Sequence, residues 1–275
     1  MLDLDAYLAR IGISRAPGPP GAPDAPGPPG APNALEMPPT LSEVHRAHVC
    51  AIPFENLDPR RGVPVSLELA DLERKLVHRR RGGYCFEQNL LLRAGLEALG
   101  AEVEPMLARV RFGRPPERTS PRTHLVLRVR ADGREWHADA GFGNGTLLEP
   151  VPFGPGGPYE QAGWAFRIVE DGPELVLQSA RGEQWVDLYG FVPEPVPFID
   201  IETSNWFTCT HPRSPFVTGL IVSAQRPDGT RLSLSDWQKL SLTEETPAGA
   251  SVRPVEPGEV NGLIAEHFGL NGFDG

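Results

Sequence analysis

RGGYCFEQN, the stretch from Arg81 to Asn89, holds one of the three cysteines of this chain. Gly82 and Gly83 end one helical pattern, and a second helical pattern begins at Cys85. A thiol in the first turn of a helix lies near unpaired backbone N–H groups and the positive end of the dipole, which favour a thiolate. Position alone leaves two interpretations open: a catalytic nucleophile, or a small apolar side chain packed behind Phe86.

Helical spacing of apolar residues surrounds this stretch. It predicts helices over Leu2–Ile11, from near Thr40, and from Ser66, the expected N-cap, to the Gly-Gly pair. The helix that starts at Cys85 closes at Gly100 and has a wide apolar face. We therefore expect it to be central and mostly buried.

A repeat interrupts the helical part of the chain. APGPPGAP occurs at Ala16–Pro23 and again at Ala25–Pro32. Proline and glycine at this density cannot form a helix or an interior strand, so an extended or disordered surface loop is predicted for residues 16–32. Two interpretations stand: a tandem duplication in a tolerant loop, or a proline-rich docking segment.

After Gly100 the period of apolar residues changes to two. Short segments separated by turn residues predict an antiparallel β lobe from about Val103 to Tyr189. RPDGTRLSL predicts one more hairpin, and GEVNGLIAEHFGL a final helix. Helices followed by strands make this an α+β chain.

One predicted hairpin brings together a histidine and an aspartate. RTHLVLRVRADGREWHADAGFG should turn at Asp132 and Gly133, so that Val126 faces Asp139. His124 and Asp139 then share a sheet face as diagonal neighbours, about 7–8 Å apart at the backbone. A carboxylate there fixes the tautomer of the imidazole, and a cysteine nucleophile needs such a base. A three-residue turn would instead place them on opposite faces.

Other arrangements of the same side chains are weaker. His137 shares the hairpin but pairs with Arg128, further from the aspartate. A metal site of Cys85, His124 and Asp139 lacks the paired C-x-x-C or H-x-x-x-H spacing of most structural zinc sites, so no metal is expected.

Composition limits the class of protein. A net charge of −10 argues against a nucleic-acid partner, and three scattered cysteines argue against a disulfide framework. No apolar run reaches membrane-spanning length, and the acidic N-terminus lacks the pattern of a signal peptide. We expect a soluble, cytoplasmic protein without a membrane or nucleic-acid partner.

Five stretches occur in a shared order and at characteristic separations: IPFENLD, RRRGGYCFEQN, RTHLVL, ADAGFG and NWFTCTHPRS. Together they resemble the arylamine N-acetyltransferase family over nearly the whole chain. The family's catalytic triad carries over onto Cys85, His124 and Asp139. The chain departs from the family pattern at the proline-rich insert and at Ala140, where valine is common. Neither departure is expected to alter the triad.

The resemblance implies an α+β fold in three parts around a cysteine-protease-like Cys-His-Asp core. These are a helical domain over 1–102 with the cysteine, an antiparallel β-barrel over 103–205 with the histidine and aspartate, and an α/β lid over 206–275. The implied reaction is acetyl transfer from acetyl-CoA to an arylamine, hydrazine or arylhydroxylamine through an acetyl-cysteine. Acetyl-CoA is then a co-substrate, and no tightly bound cofactor is implied.

The resemblance and the chemistry of the side chains also suggest the remaining site residues. Phe54 and Tyr84 should line the substrate pocket, and Glu55 and Arg81 should form an ion pair that holds the cysteine loop. Threonine hydroxyls and an arginine suit phosphate, although a solvated surface charge is the alternative for Arg213. The expected coenzyme A contacts are Thr123, Gly141, Phe142, Gly143, Phe207, Thr208, Thr210 and Arg213.

Two related activities share the Cys-His-Asp order. One is a macrolactam-forming amide synthase, which takes a polyketide acyl chain from a carrier protein. The other is a thiol hydrolase or transglutaminase-like enzyme. A pure binding protein would require the triad to be accidental. The sequence leaves open the physiological amine, the acyl-chain preference and the oligomeric state.

Overall fold

A computed structural model of the chain describes residues 1–14, 39–115 and 119–270. The predicted proline-rich loop over residues 16–32 therefore lies outside the described residues. Within those ranges, no helix is both long enough and apolar enough to cross a membrane.

Two helices begin the chain where the apolar spacing predicts them. Helix α1 (Leu4–Arg10) starts after Asp3, whose carboxylate accepts a hydrogen bond from Ala6 N. Helix α2 (Leu41–Ala51) starts with a capping box between Thr40 and Glu43. Such a box satisfies backbone N–H groups that a helix start leaves unpaired.

Short elements then lead to the cysteine. They are β1 (Phe54–Glu55), α3 (Leu57–Arg60) and α4 (Leu69–Leu72), and α4 continues as a π-helix over Glu73–His78. The predicted N-cap at Ser66 is wrong, because the Ser66 hydroxyl donates to Asp71 and the capping residue is Glu68.

Helix α5 (Cys85–Ala98) is the central helix, as predicted. Its first eight residues, 85–92, are all buried. It packs against α1, α2, α4 and the strands β2 (Glu102–Val110) and β3 (Arg122–Ala131) of the following sheet. The cysteine at its start is thereby held between the helical part and the sheet.

In the described part of the chain, the eight strands β2 to β9 form one antiparallel sheet that curls into a nearly closed barrel. Besides β2 and β3, the sheet contains β4 (Arg134–Ala138), β5 (Val151–Pro152), β6 (Gly156–Gln161), β7 (Trp164–Asp171), β8 (Glu174–Arg181) and β9 (Gln184–Phe191). Their spatial order is β5-β4-β3-β2-β9-β8-β7-β6. The predicted β lobe is confirmed.

The turn between β3 and β4 also agrees with its prediction. Asp132 and Gly133 adopt φ of 52° and 70°, the positive values that a two-residue type I′ turn requires. The ladder pairs Leu127 with Ala138 and Arg128 with His137, in the predicted register.

The C-terminal part combines helices with a second sheet. Helices α6 (Phe198–Thr210) and α7 (Pro215–Thr218) precede strands β10 (Ile221–Gln225), β11 (Arg231–Ser235), β12 (Ser241–Thr246) and β13 (Gly249–Pro254), and α8 (Val260–Phe268) follows them. Among described residues this sheet has the order β1-β10-β11-β12-β13. The predicted fold class and last hairpin are confirmed. The division at residues 102 and 205 stays a prediction, since β1 joins the C-terminal sheet and α6 spans residue 205.

Candidate active site

Cys85 is the first residue of α5 and is 2% exposed. Its Sγ lies 3.7 Å from the carbonyl oxygen of Thr123, the residue before His124. Gly141 approaches from the barrel so closely that a Cβ there would lie 2.6 Å from the Cys85 Cα. Only glycine allows this contact, which brings the cysteine helix against the loop after Asp139.

His124 and Asp139 form a buried pair. His124 Nε2 lies 2.7 Å from Asp139 Oδ2, and the residues are 2% and 1% exposed. The hairpin register therefore brings the two side chains together, as predicted. The remaining ring nitrogen, Nδ1, is the one left for the Cys85 side chain, with which His124 also interacts.

Their charges stabilise each other. Burial alone lowers the pKa of His124, but the charge and hydrogen bond of Asp139, with the Cys85 side chain, outweigh burial and raise it to about 10. Burial alone raises the pKa of Asp139, but His124, Asn89 and the Gly141 N–H hold that pKa well below its ordinary range. The pair therefore consists of an imidazolium and a carboxylate at neutral pH.

Asp139 lies just beyond the β3–β4 ladder, which ends at Leu127 and Ala138. The predicted pairing of Val126 with Asp139 does not form, because Asn89 lies between the two strands. Its Nδ2 donates to Leu125 O at 2.7 Å and to Asp139 Oδ1 at 2.9 Å. Asn89 is one helical turn after Cys85, so α5 carries both the thiol and a support for the carboxylate.

Sequence reasoning missed Asn89 and also His45. The Asp139 N–H donates to His45 Nε2 at 3.2 Å, and His45 is fully buried on α2. The signal available for Asn89 was its place as a polar residue four positions after Cys85, on the buried face of the same helix. His45 carried no such signal, because its partner is 94 residues away.

Aromatic rings enclose the imidazole. The His124 ring centroid lies 5.2 Å from that of Phe142 and 4.7 Å from that of Tyr189. The Tyr189 hydroxyl lies 2.8 Å from Nε2 of His137, the other hairpin histidine. Burial lowers the pKa of His137 to about 4, so this histidine is neutral and is not a second charged base.

A second group of charges lies on the helical side of Cys85. We call Glu55, Asp58, Lys75, Arg81 and Glu87 the loop-anchoring cluster. Arg81 Nη2 lies 2.6 Å from Glu55 Oε1, so the predicted ion pair is present, and 3.0 Å from Asp58 Oδ1. Lys75 Nζ lies 2.6 Å from Asp58 and 2.7 Å from Glu87. The cluster joins α3, the π-helix, the glycine loop and α5.

The predicted coenzyme A residues on the barrel lie beside the triad. The loop from Gly141 to Gly143 follows Asp139, and Phe142 contacts the His124 ring. Gly143 O accepts a hydrogen bond from Gln225 Nε2 at 2.9 Å, which ties this loop to β10. The Thr123 side chain is half-buried, next to His124.

The predicted coenzyme A residues in the C-terminal part differ in what they offer. Thr208 and Thr210 donate their hydroxyl hydrogens back along α6, to Ser204 O at 2.7 Å and Trp206 O at 2.6 Å. Arg213 is exposed, and Phe207 stacks on His211 with ring centroids 4.5 Å apart. In this conformation both threonine hydroxyl hydrogens are used within α6, whereas the exposed Arg213 guanidinium has N–H groups available as donors.

The two predicted pocket residues are both buried. Phe54 is 7% exposed and contacts Phe216, with ring centroids 6.1 Å apart. Tyr84 is fully buried, and its hydroxyl donates to Asn205 on α6. Tyr84 therefore connects the cysteine loop to α6.

Among the described residues, no group of three or more His, Cys, Asp or Glu side chains is arranged to hold a metal ion.

A cysteine at a helix start beside an imidazole–carboxylate pair is the arrangement of enzymes that form thioester intermediates, which include acyltransferases and cysteine hydrolases.

Comparison with known proteins identifies the family. A family model described as N-acetyltransferase matches residues 39–272. The arylamine N-acetyltransferase of Mycolicibacterium smegmatis is 40% identical over 232 residues, which cover 82% of this chain and 78% of that protein. The arylamine N-acetyltransferase / N-hydroxyarylamine O-acetyltransferase of Salmonella typhimurium is 33% identical over 233 residues, covering 84% and 81%. The Mycobacterium marinum arylamine N-acetyltransferase in complex with CoA superposes with a TM-score of 0.83 at 35% identity, covering 97% of this chain and 92% of that one.

The chain belongs to the arylamine N-acetyltransferase family. It is an acyltransferase, and its reaction is the transfer of an acetyl group from acetyl-CoA to an arylamine.

Proposed function

We propose that this acetyl transfer proceeds through an acetyl-cysteine on Cys85, with His124 moving the protons and Asp139 orienting His124. The observation that carries the proposal is the 2.7 Å contact between His124 Nε2 and Asp139 Oδ2, with Cys85 on the other side of the ring. An imidazolium beside the thiol favours its thiolate, which is the nucleophilic form.

In the first half-reaction the Cys85 thiolate attacks the carbonyl carbon of acetyl-CoA. The new bond from the Cys85 sulfur to the acetyl carbon forms, and the bond from that carbon to the coenzyme A sulfur breaks. His124 gives its proton to the departing thiolate and becomes neutral. The first N–H groups of α5 lack intrahelical partners, so they are suited to bind the transient oxyanion.

In the second half-reaction the amine nitrogen attacks the acetyl-cysteine. The bond to the Cys85 sulfur breaks, and the amine proton passes to His124, which restores the thiolate and imidazolium. Arylamines, hydrazines and arylhydroxylamines are the expected acceptors. The O-acetyltransferase activity in the name of the Salmonella typhimurium relative supports the hydroxylamine acceptor.

Coenzyme A should contact the loop from Gly141 to Gly143 beside the triad, with Arg213 as the phosphate ligand. It then acts as a co-substrate that leaves after the first half-reaction, before the amine reacts, and no tightly bound cofactor is needed. The three cysteines, all within the described ranges, are free thiols. Free thiols are typical of proteins in a reducing compartment, so we include a cytoplasmic location in this proposal.

The test is to mix the enzyme with acetyl-CoA in the absence of an amine. Intact-protein mass should increase by one acetyl group, fragmentation should locate it on Cys85, and added arylamine should remove it. Cys85→Ala should abolish the adduct and the transfer while retaining the circular dichroism spectrum. An unmodified wild-type protein, or full turnover by Cys85→Ala, would exclude the covalent mechanism.

A further inference from the structure

The main-chain N–H of Asp139 has an unusual partner. The β3–β4 ladder ends one residue earlier, at Ala138, and Asp139 is 1% exposed. A buried backbone N–H must find an acceptor, because leaving it unpaired costs free energy. Here the acceptor is Nε2 of His45 on α2, at 3.2 Å.

The two neighbours of His45 determine its tautomer. An amide N–H can only donate, so Nε2 carries a lone pair toward Asp139. Nδ1 lies 3.0 Å from Leu148 O, which can only accept, so Nδ1 carries the hydrogen. Burial lowers the pKa of His45 and outweighs the opposing effects of Leu148, Asp139 and Glu149, in agreement with a neutral ring.

The carboxylate of Asp139 is held separately. Its Oδ1 accepts from Asn89 Nδ2 at 2.9 Å and from Gly141 N at 2.8 Å. These two donors leave Oδ2 for His124. Asn89 Oδ1 also accepts from Ala140 N at 2.9 Å, so the residue after Asp139 is held as well.

We propose that His45 is a positioning residue, whose neutral ring holds the main chain of Asp139 where its carboxylate meets His124. This inference rests on the proposed function, since the position of Asp139 affects turnover only if the pair serves Cys85. Without an acceptor from His45, the buried N–H of Asp139 is left unpaired, and relief of that cost shifts the main chain against the contacts that Asn89 and Gly141 make with the carboxylate.

Three variants separate positioning from packing. His45→Leu removes the acceptor, whereas His45→Gln can offer an oxygen to the Asp139 N–H and an NH₂ group to Leu148. Val44→Ala, at the adjacent and fully buried position on α2, removes apolar volume without removing a hydrogen bond. Each variant is assayed for acetyl transfer, for melting temperature, and for the rate of Cys85 alkylation against pH.

We expect His45→Leu to lower acetyl transfer by roughly 10- to 100-fold, because a misplacement of about 1 Å can cost up to about 100-fold. The pH at which Cys85 becomes reactive should rise in His45→Leu and stay unchanged in Val44→Ala. His45→Gln should recover most of the rate. In an Asp139→Asn background, His45→Leu should add little, since both changes act through one carboxylate.

The outcomes distinguish the two proposals. Coincident alkylation profiles for wild type and Asp139→Asn would overturn the proposed function itself. Suppose instead that those profiles differ, but that His45→Leu changes the transfer rate and the alkylation profile no more than Val44→Ala does. The inference about His45 is then overturned, and the proposed roles of Cys85, His124 and Asp139 are retained. The same holds if His45→Leu lowers the transfer rate as much in the Asp139→Asn background as in wild type.

A second measurement needs no variant to fold. Long-range ¹H–¹⁵N correlation on the wild-type enzyme reports which nitrogens of His45 are protonated. We expect hydrogen on Nδ1 alone at pH 7. A ring protonated on Nε2 or on both nitrogens would overturn the inference, because Nε2 could not then accept from Asp139.

Discussion

Two groups of charged side chains flank Cys85, one fully buried and the other partly buried, and they differ in what they face. On the barrel side, His124 and Asp139 form a pair with one ring nitrogen left for the thiol. On the helical side, the five charged groups of the loop-anchoring cluster contact one another. We assign chemistry to the first group and attachment of the cysteine loop to the second.

Both groups contain strongly shifted pKa values. The pKa of His124 is raised to about 10, because Asp139 and Cys85 outweigh the lowering effect of burial. Burial raises the pKa of Glu87 to about 7, against the opposing charge of Lys75. A shifted pKa therefore marks a buried charge in both places. The feature that distinguishes a candidate catalytic group is a titrating atom directed at a reactive side chain.

The largest effect should come from Asp139→Asn. Loss of the carboxylate leaves burial to lower the pKa of His124, and the amide can favour the wrong tautomer. The imidazolium is then lost, and Cys85 should become reactive only at higher pH. Acetyl transfer should fall by about 10³- to 10⁴-fold, as expected when a triad aspartate is replaced.

The measurement compares the transfer rate and the pH profile of Cys85 alkylation in wild type and variant. An unchanged circular dichroism spectrum controls for the fold. Superimposable profiles would mean that the buried pair is structural, like the loop-anchoring cluster, and the contrast between the two groups would disappear.

Arg81→Met tests the other side of the contrast. Glu55 is 1% exposed, and Arg81 donates to its Oε1 from both Nε and Nη2, so losing Arg81 leaves a buried charge poorly compensated. Lys75 remains 3.8 Å from Glu55, so we expect a loss of about 2–3 kcal/mol in the free energy of unfolding, below the 3–5 kcal/mol of a fully broken buried pair.

The matched control is Arg74→Met, which breaks a surface pair with Asp71. Such a pair contributes about 0–1 kcal/mol, so its variant should unfold almost like wild type. Urea unfolding measures both. Equal stability of Arg81→Met and Arg74→Met would show that the loop is held without the cluster.

Features that depend on neighbouring residues could be predicted from the sequence. The turn at Asp132 and Gly133 follows from a dipeptide that tolerates positive φ at both positions, and it fixes the strand register. That register brings His124 to Asp139. Helix α5 follows from its apolar face and from the glycines before Cys85.

Features that depend on particular side-chain contacts could not be predicted. The helix after Ser66 starts later than predicted because that hydroxyl binds Asp71. Its second half becomes a π-helix, in which Lys75 reaches carboxylates of three other elements. The supports of Asp139 lie 50 residues away, at Asn89, and 94 residues away, at His45. The position of Asn89 four residues after Cys85 was a signal on its helix, but nothing in the periodicity of the sequence names Asp139 as the partner of either residue.

The smallest effect should come from Glu87→Gln, and it concerns the charge balance of the loop-anchoring cluster. The cluster has three carboxylates and two cations, so one proton on a carboxyl would neutralise it. Glu87 is 2% exposed, and burial raises its pKa from 4.5 to about 7. A carboxyl with a raised pKa binds its proton more tightly in the folded state, so its contribution to stability is present at low pH and is lost as the pH rises from about 4.5 to about 7.

Wild type should therefore lose stability relative to Glu87→Gln between pH 5 and pH 8, as measured by urea unfolding. Glu97→Gln, on an exposed turn of the same helix, is the matched control. If wild type instead gains stability relative to Glu87→Gln as the pH rises, Lys75 keeps Glu87 ionised, and the cluster resembles the charged pair of His124 and Asp139 more closely than we infer.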